Sequence, residues 1–262
     1  MTQVSKKLAV QLFTVRDYLQ TKEQAKETFQ RIADMGYRGV EAIGFLGWEI
    51  NQWGDLLEGA GLKLLGIHET FEDLEANLPE KLLASRVLGC DYMISAVPLK
   101  VDFTDPDQVR ELCERLNAVG KTCREQNMRL LYHNHTMEFF RVCGGNGLDT
   151  IFQLTNPEYV LFEPCVYTMQ ISGADPVRWV RRLQGRMETI HIKDCVVRAV
   201  DGELLPMPVS TEPGRGNLDL GAICQEANRS GAKWYVMEIH ENCINNDPFQ
   251  SLKICADYFE NL

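Results

Sequence analysis

Five histidines, His68, His133, His135, His191 and His240, are the side chains of this chain best suited to metal binding or to proton transfer near neutrality. Each falls at or just past the end of a short apolar run. Four of them stand in three polar clusters: Tyr132-His133-Asn134-His135-Thr136-Met137-Glu138, His191-Ile192-Lys193-Asp194 and Glu238-Ile239-His240-Glu241. Carboxylates, imidazoles and a thiol brought together from such clusters would enclose a divalent ion, or pair an acid with a base. Glu238 is telling by itself. In Val236-Met237-Glu238-Ile239 it is flanked by apolar residues, so it faces an interior where a lone charge is costly, and it needs a metal ion or a lysine beside it. Taken singly, each residue reads as structural; as a set at several run ends, they read as a site.

The elements that would position this set are short apolar runs at Leu8–Leu12, Gly39–Ala42, Leu62–Ile67, Asp91–Ala96, Met128–Tyr132, Val160–Phe162, Met187–Ile192 and Trp234–Ile239. Longer amphipathic stretches separate them. In one, Val109, Leu112, Cys113, Leu116 and Val119 recur at helical spacing. Asp105-Pro106, Asp175-Pro176 and Asp247-Pro248 each set a capping carboxylate before a proline suited to a first helical turn. Gly36, Gly61, Gly89, Gly185 and Gly231 stand where left-handed helix caps are expected. Alternating strand and helix imply parallel strands with right-handed crossovers. Eight such units in 262 residues predict an α/β fold, a single-domain (β/α)8 TIM barrel spanning 1–262. The competing open sheet would carry a glycine-rich turn after its first strand, whereas this chain reads Gln11-Leu12-Phe13-Thr14-Val15-Arg16 there. A barrel gathers its strand ends at one mouth, which would bring the clusters together. The long stretch between Lys193 and Asn217 starts from one of them and is read as a substrate-covering lid.

Composition narrows the class. The nine cysteines are odd in number, scattered and without a C-x-x-C pair, which reads as small buried residues in a reducing compartment. The apolar stretch after Lys6 and Lys7 is broken by Arg16 and Asp17, too short for a secretory signal, and no run approaches a membrane span. A cytoplasmic protein without a membrane partner is expected. With 27 basic and 37 acidic residues, the net charge of −10 disfavours a nucleic-acid partner.

The same residues resemble a known family. Val10-Gln11-Leu12-Phe13-Thr14-Val15-Arg16-Asp17, Gly36-Tyr37-Arg38-Gly39-Val40-Glu41, Tyr132 to Phe139, Gly185 to Asp194, Gly214-Arg215-Gly216 with Asn217-Leu218-Asp219, and Val236-Met237-Glu238 with Asp247-Pro248 are similar, in order and spacing, to the motifs of sugar phosphate isomerases/epimerases of the xylose-isomerase-like TIM-barrel superfamily. The resemblance implies one divalent ion, manganese, zinc or cobalt, held by Glu138, position 165, His191 and Glu238. At the fifth strand, His133 or His135 is an alternative to Glu138. Position 165 departs from the family, whose pattern places aspartate where this chain has Cys165. A thiolate there would favour zinc over manganese. Glu163, two residues earlier and so on the same strand face, is a second way to replace the carboxylate. An ion held weakly or not at all is the third.

The resemblance further implies an enediolate, formed when the carbon beside a ketone loses its proton and stabilised by the ion. Glu138 and Glu238 are the implied acid–base pair, assisted by His133 or His135, with Lys193 holding or protonating an oxyanion and Asp194 orienting the lysine. His68, His135 and Arg215 are candidate substrate contacts, and the Gly214-Arg215-Gly216 amides are a candidate seat for an anionic or hydroxyl-rich group. The expected activity is isomerisation or epimerisation of a keto sugar or related polyol. A lyase acting on an inosose-like or 3-keto-glycoside substrate through the same enolate is the alternative. A non-catalytic barrel that works with a partner, its ion site decayed at Cys165, is the reading from another class. The expected partner is a small-molecule sugar, and a homo-oligomer or a partner subunit is compatible with the sequence.

Overall fold

The apolar runs form strands buried on both faces, as parallel strands covered by helices require. They are β1 (Leu8–Gln11), β2 (Gly39–Ile43), β3 (Lys63–Thr70), β4 (Tyr92–Val97), β5 (Arg129–His133), β6 (Val160–Glu163), β7 (Thr189–Ile192) and β8 (Trp234–Met237). The structure is a computed structural model describing residues 7–44, 46–142, 144–239 and 241–262, so His240 and Cys143 lie outside the described residues. The eight strands make one sheet, all pairs parallel, in which β1 joins both β2 and β8. The last seam, between β6 and β7, closes through the bridges Phe162–Met187 and Cys165–His191, and the His191 N–H donates to the Pro164 carbonyl at 2.9 Å. The result is the (β/α)8 barrel expected from the alternation of elements.

Helices follow each strand, and their ends carry the chemistry that marked them. Asp105, Asp175 and Asp247 each accept backbone N–H groups of the turn they cap. Gly61 and Gly231 end their helices at φ 64° and 108°, a region that favours glycine. Among the described residues no helix is long and apolar enough to cross a membrane. The eight described cysteines are free, and all but Cys243 are buried.

Two apolar layers divide the strand residues. Ala9, Leu65, Tyr92, Ile94, Leu131 and Val236 fill the barrel interior, with Leu161 and Trp234 packed against them. The alternate residues, among them Val10, Val40, Met93, Tyr132, Phe162 and Met237, face the helices. One strand breaks this alternation. Val40 pairs with Leu64 but Glu41 pairs with Gly66, so Leu65 is an extra residue in β3. The shift resets the phase of everything after it. Ile67 turns out to the helices, and His68 turns in. Gly66 is suited to this place because a Cβ there would stand 2.8 Å from Ile94 Cδ1 and 3.0 Å from the Tyr92 carbonyl oxygen.

The stretch after Lys193 is an antiparallel hairpin, Asp194–Arg198 with Met207–Thr211. The buried Asp194 carboxylate accepts from the backbone N–H groups of Cys195, Gly214, Gly216 and Leu218 at 2.8–3.0 Å.

Candidate metal centre

Above the interior apolar plug, the inward rows of the strands end in polar residues. Glu41 comes from β2, His68 from β3, His133 from β5, Glu163 from β6 and His191 from β7, with Glu238 just past β8. Glu41, Glu163 and His191 are fully buried, His68 and His133 nearly so. His68 Nε2 lies 2.9 Å from Glu41 Oε2 and 3.1 Å from Glu163 Oε2. His191 Nε2 lies 2.9 Å and 3.3 Å from the same two oxygens. His133 Nδ1 approaches Glu163 Oε2 to 3.2 Å, and Thr189 donates to the other Glu163 oxygen at 2.6 Å. The opposite nitrogen of His191, Nδ1, faces Glu238 Oε2 at 3.2 Å, and Lys193 Nζ holds that oxygen at 2.7 Å.

Two groups of donors therefore meet. Glu41, His68, Glu163 and His191 each offer a ligand atom within 4.8 Å of the others, and so do His133, His191 and Glu238. The residues fit a divalent cation. Glu41 Oε1, Glu163 Oε2 and His133 Nδ1 are buried with no hydrogen-bond partner among the described residues, a costly condition that a cation would relieve.

Charge sorts the ionisable groups. Burial pulls His68 down, but the Glu163 and Glu41 carboxylates outweigh it and lift the ring to about 9. His191 is raised likewise, against burial, chiefly by Glu163. Burial, reinforced by His191, holds His133 well below its usual value, and burial takes His135 down to about 4. Burial and the Glu163 charge raise Glu41. Glu163 is lowered because the histidines, His191 first, outweigh its burial. Lys193 stays cationic because the Glu238 charge outweighs desolvation.

A cavity of about 760 Å³ opens over these groups. His68, His133, His135, Cys165, Lys193 and Glu238 line it, with Gln11, Glu69, Thr136 and Glu241 as further polar walls and Phe13, Ile43, Val97, Tyr167 and Ile171 as apolar ones. Other candidates stand elsewhere. Glu138, on the short turn Met137–Phe139, accepts from the Tyr132 hydroxyl at 2.8 Å and the His135 N–H at 3.0 Å, and belongs to neither donor group. Cys165 lines the cavity without entering either group, its N–H donating to Asn134 Oδ1 at 3.0 Å. Arg215 is exposed and not in the cavity lining. The Gly214 and Gly216 amides point to Asp194 rather than to an open seat, and Lys193 is oriented by Glu238 instead of Asp194. The hairpin after Lys193, read as a lid, supplies none of the cavity lining.

Glu41 escaped the reading of the sequence as a donor, although its signal was that of Glu238: a lone carboxylate among apolar strand residues, Gly39-Val40-Glu41-Ala42-Ile43. Asn134 was also passed over; its side chain ties the end of β5 to Cys165 and to Thr168 Oγ1, at 2.9 Å.

Comparison with known proteins agrees with this architecture. Residues 29–253 match the model of a family described as xylose isomerase-like TIM barrel. An inosose dehydratase of Clostridium tetani is 26% identical over 56% of this chain and 52% of its own. The chain spans about half the length of the curated relatives it matches. Among solved structures, a sugar phosphate isomerase/epimerase from Parabacteroides distasonis superposes with a TM-score of 0.80 at 19% identity, over 98% of this chain and 95% of that one. The IOLI protein with a bound zinc atom superposes with a TM-score of 0.74 at 10% identity, over 97% of each chain. At these identities the solved structures speak to the fold.

Proposed function

Because the chain belongs to the xylose isomerase-like TIM-barrel family, we propose that it is a metal-dependent lyase that removes water from a keto polyol of the inosose class. The observation that carries this reading is the mouth of the barrel, where imidazoles kept neutral by burial and a lysine kept cationic line one cavity above a cluster of metal-type donors. The inosose dehydratases among its relatives favour elimination over rearrangement.

A divalent cation in such a cluster supplies Lewis-acid stabilisation of negative charge that develops on the substrate oxygen. The chain's own groups handle the protons. A neutral imidazole, His133 or His135, takes the proton beside the ketone, since an imidazole depressed by burial is free to accept one at neutral pH. Lys193 faces the cavity as an ammonium and protonates the departing hydroxyl, with Glu238 fixing its position. The apolar side of the cavity, Phe13, Ile43 and Tyr167, sets the ring of a polyol against carbon. The proposed setting is a reducing cytoplasm, with a small molecule rather than a nucleic acid as partner.

Incubation of keto cyclitols and keto sugars with the enzyme and a divalent metal in deuterated water tests the reading. Loss of water from the substrate supports the lyase. Solvent deuterium in an intact, rearranged sugar would instead make the chain an isomerase or epimerase, in which the proton returns to carbon. Absence of both reactions across these substrates would sink the proposal.

A further inference from the structure

We infer that the cation of this barrel sits below the mouth, held by Glu41, His68, Glu163 and His191, and that Cys165 is not among its ligands. This rests on the metal-dependent reading above and adds the identity of the seat.

The spacing of the four donors is the first argument. Each of the two nitrogens stands 2.9–3.3 Å from each of the two carboxylate oxygens. Ligands placed about 2.0–2.1 Å from a tetrahedral ion are roughly 3.3–3.4 Å apart. Those four edges of the cage thus need to lengthen by only a few tenths of an ångström, and all four donor atoms lie within 4.8 Å of one another. Three imidazole nitrogens converge on Glu163 Oε2, yet that oxygen has no properly aligned hydrogen bond among the described residues. The His68 and His191 nitrogens also hydrogen-bond Glu41 Oε2 at 2.9 Å, so a cation in the cage would take the place of those bonds and of the protons in them.

The allocation of His191 is the second. Its Nε2 faces Glu41 and Glu163, and its Nδ1 faces Glu238. One ring nitrogen can serve the deep group while the other donates to a carboxylate, an arrangement common among metal-binding histidines. Glu238 then orients the ligand and holds Lys193, without reaching the ion. Charge is the third argument. Glu41 and Glu163 are carboxylates with no solvent exposure, and once His68 and His191 give up their protons to bind, a dication takes over the balancing of both. The bulge at Leu65 completes the cage, because it turns His68 inward. Two imidazoles and two carboxylates as the donor set suit zinc or cobalt(II) over magnesium or calcium.

The test is metal binding itself. Protein stripped with a chelator is titrated with zinc by calorimetry and with cobalt(II) by absorption spectroscopy. The seat predicts one equivalent of metal and a cobalt spectrum without a thiolate charge-transfer band. It predicts affinity unchanged in Cys165→Ala and weakened at least ~100-fold in Glu41→Gln and Glu163→Gln, which remove a ligand where even outer partners cost about 10–100-fold. The wild-type cobalt spectrum answers for Cys165 without relying on any variant to fold, and the Glu41→Gln affinity separates this cage from the group of His133, His191 and Glu238. A thiolate band, or metal lost in Cys165→Ala and kept in folded Glu41→Gln, would overturn the seat while leaving a metal-dependent lyase standing. Folded wild-type protein that binds neither metal would overturn the seat, and elimination without added metal would separately overturn the metal-dependent function.

Discussion

Lys193 Nζ and His191 Nδ1 meet at one atom, Glu238 Oε2, at 2.7 Å and 3.2 Å. This carboxylate couples the cationic residue at the mouth to the buried imidazole beneath it. Lys193→Met removes the ammonium from a pair whose side chains are 6% and 13% exposed. The expected cost is about 3–5 kcal/mol in urea unfolding, the range for breaking a buried ion pair. The double variant with Glu238→Gln recovers most of that stability, and elimination stays slower by ~100–10,000-fold, the usual contribution of a positioned acid or base. Strictly additive stability losses would refute the coupling.

Glu138 gives a pH signature. Burial lifts its carboxyl from 4.5 to about 7. A raised acid holds its proton more tightly when folded, so its contribution is fully present below the unfolded pKa and is lost as pH rises through about 7. Wild-type stability relative to Glu138→Gln should therefore fall by roughly 3 kcal/mol between about pH 4.5 and 8. Parallel stability curves for the two proteins would contradict this.

Asp194 anchors three backbone N–H groups of the Gly214–Leu218 turn, besides that of Cys195. Asp194→Ala should strip hydrogen-exchange protection from the Gly214, Gly216 and Leu218 amides while the barrel strands keep theirs. Global stability should drop by about 1–3 kcal/mol, the desolvation penalty of donors left without acceptors. Protection retained at those amides would show that the turn is fixed by other contacts. Gly216 cannot accept a side chain, since a Cβ there would lie 2.3 Å from Asp194 Oδ1.

Metal should also register as stability. Zinc at 100 times its dissociation constant should raise the unfolding free energy by about 2.7 kcal/mol, and a chelator should reverse the gain. A melting temperature indifferent to zinc and to chelator would argue against a cation bound to the folded chain.

Much of the fold was legible in the sequence, because strand and helix leave local marks. The Asp-Pro caps and the glycine helix ends act within a few residues, and both were found where the spacing put them. The site was legible only in part. That His68, His133 and His191 lie at strand ends was local information; that all three meet at Glu163, and two of them also at Glu41, was not. Glu138 was assigned by its motif to the ion, but the one-turn segment Met137–Phe139 directs its carboxylate to Tyr132, which faces the helices. Asp194 shows the same limit: its neighbour Lys193 suggested a partner, while three of its four partners lie twenty and more residues away.

The extra residue in β3 has a consequence for how chains like this are compared. Were Leu65 paired in ordinary register rather than bulged, strict alternation would aim Ile67 at the centre and His68 at the helices, and an imidazole would be exchanged for a butyl group at the barrel's axis. Aligned letters alone therefore do not reveal which atoms meet there. Two kindred chains with the same letters up to His68, one bulged before it and one not, would have different hearts.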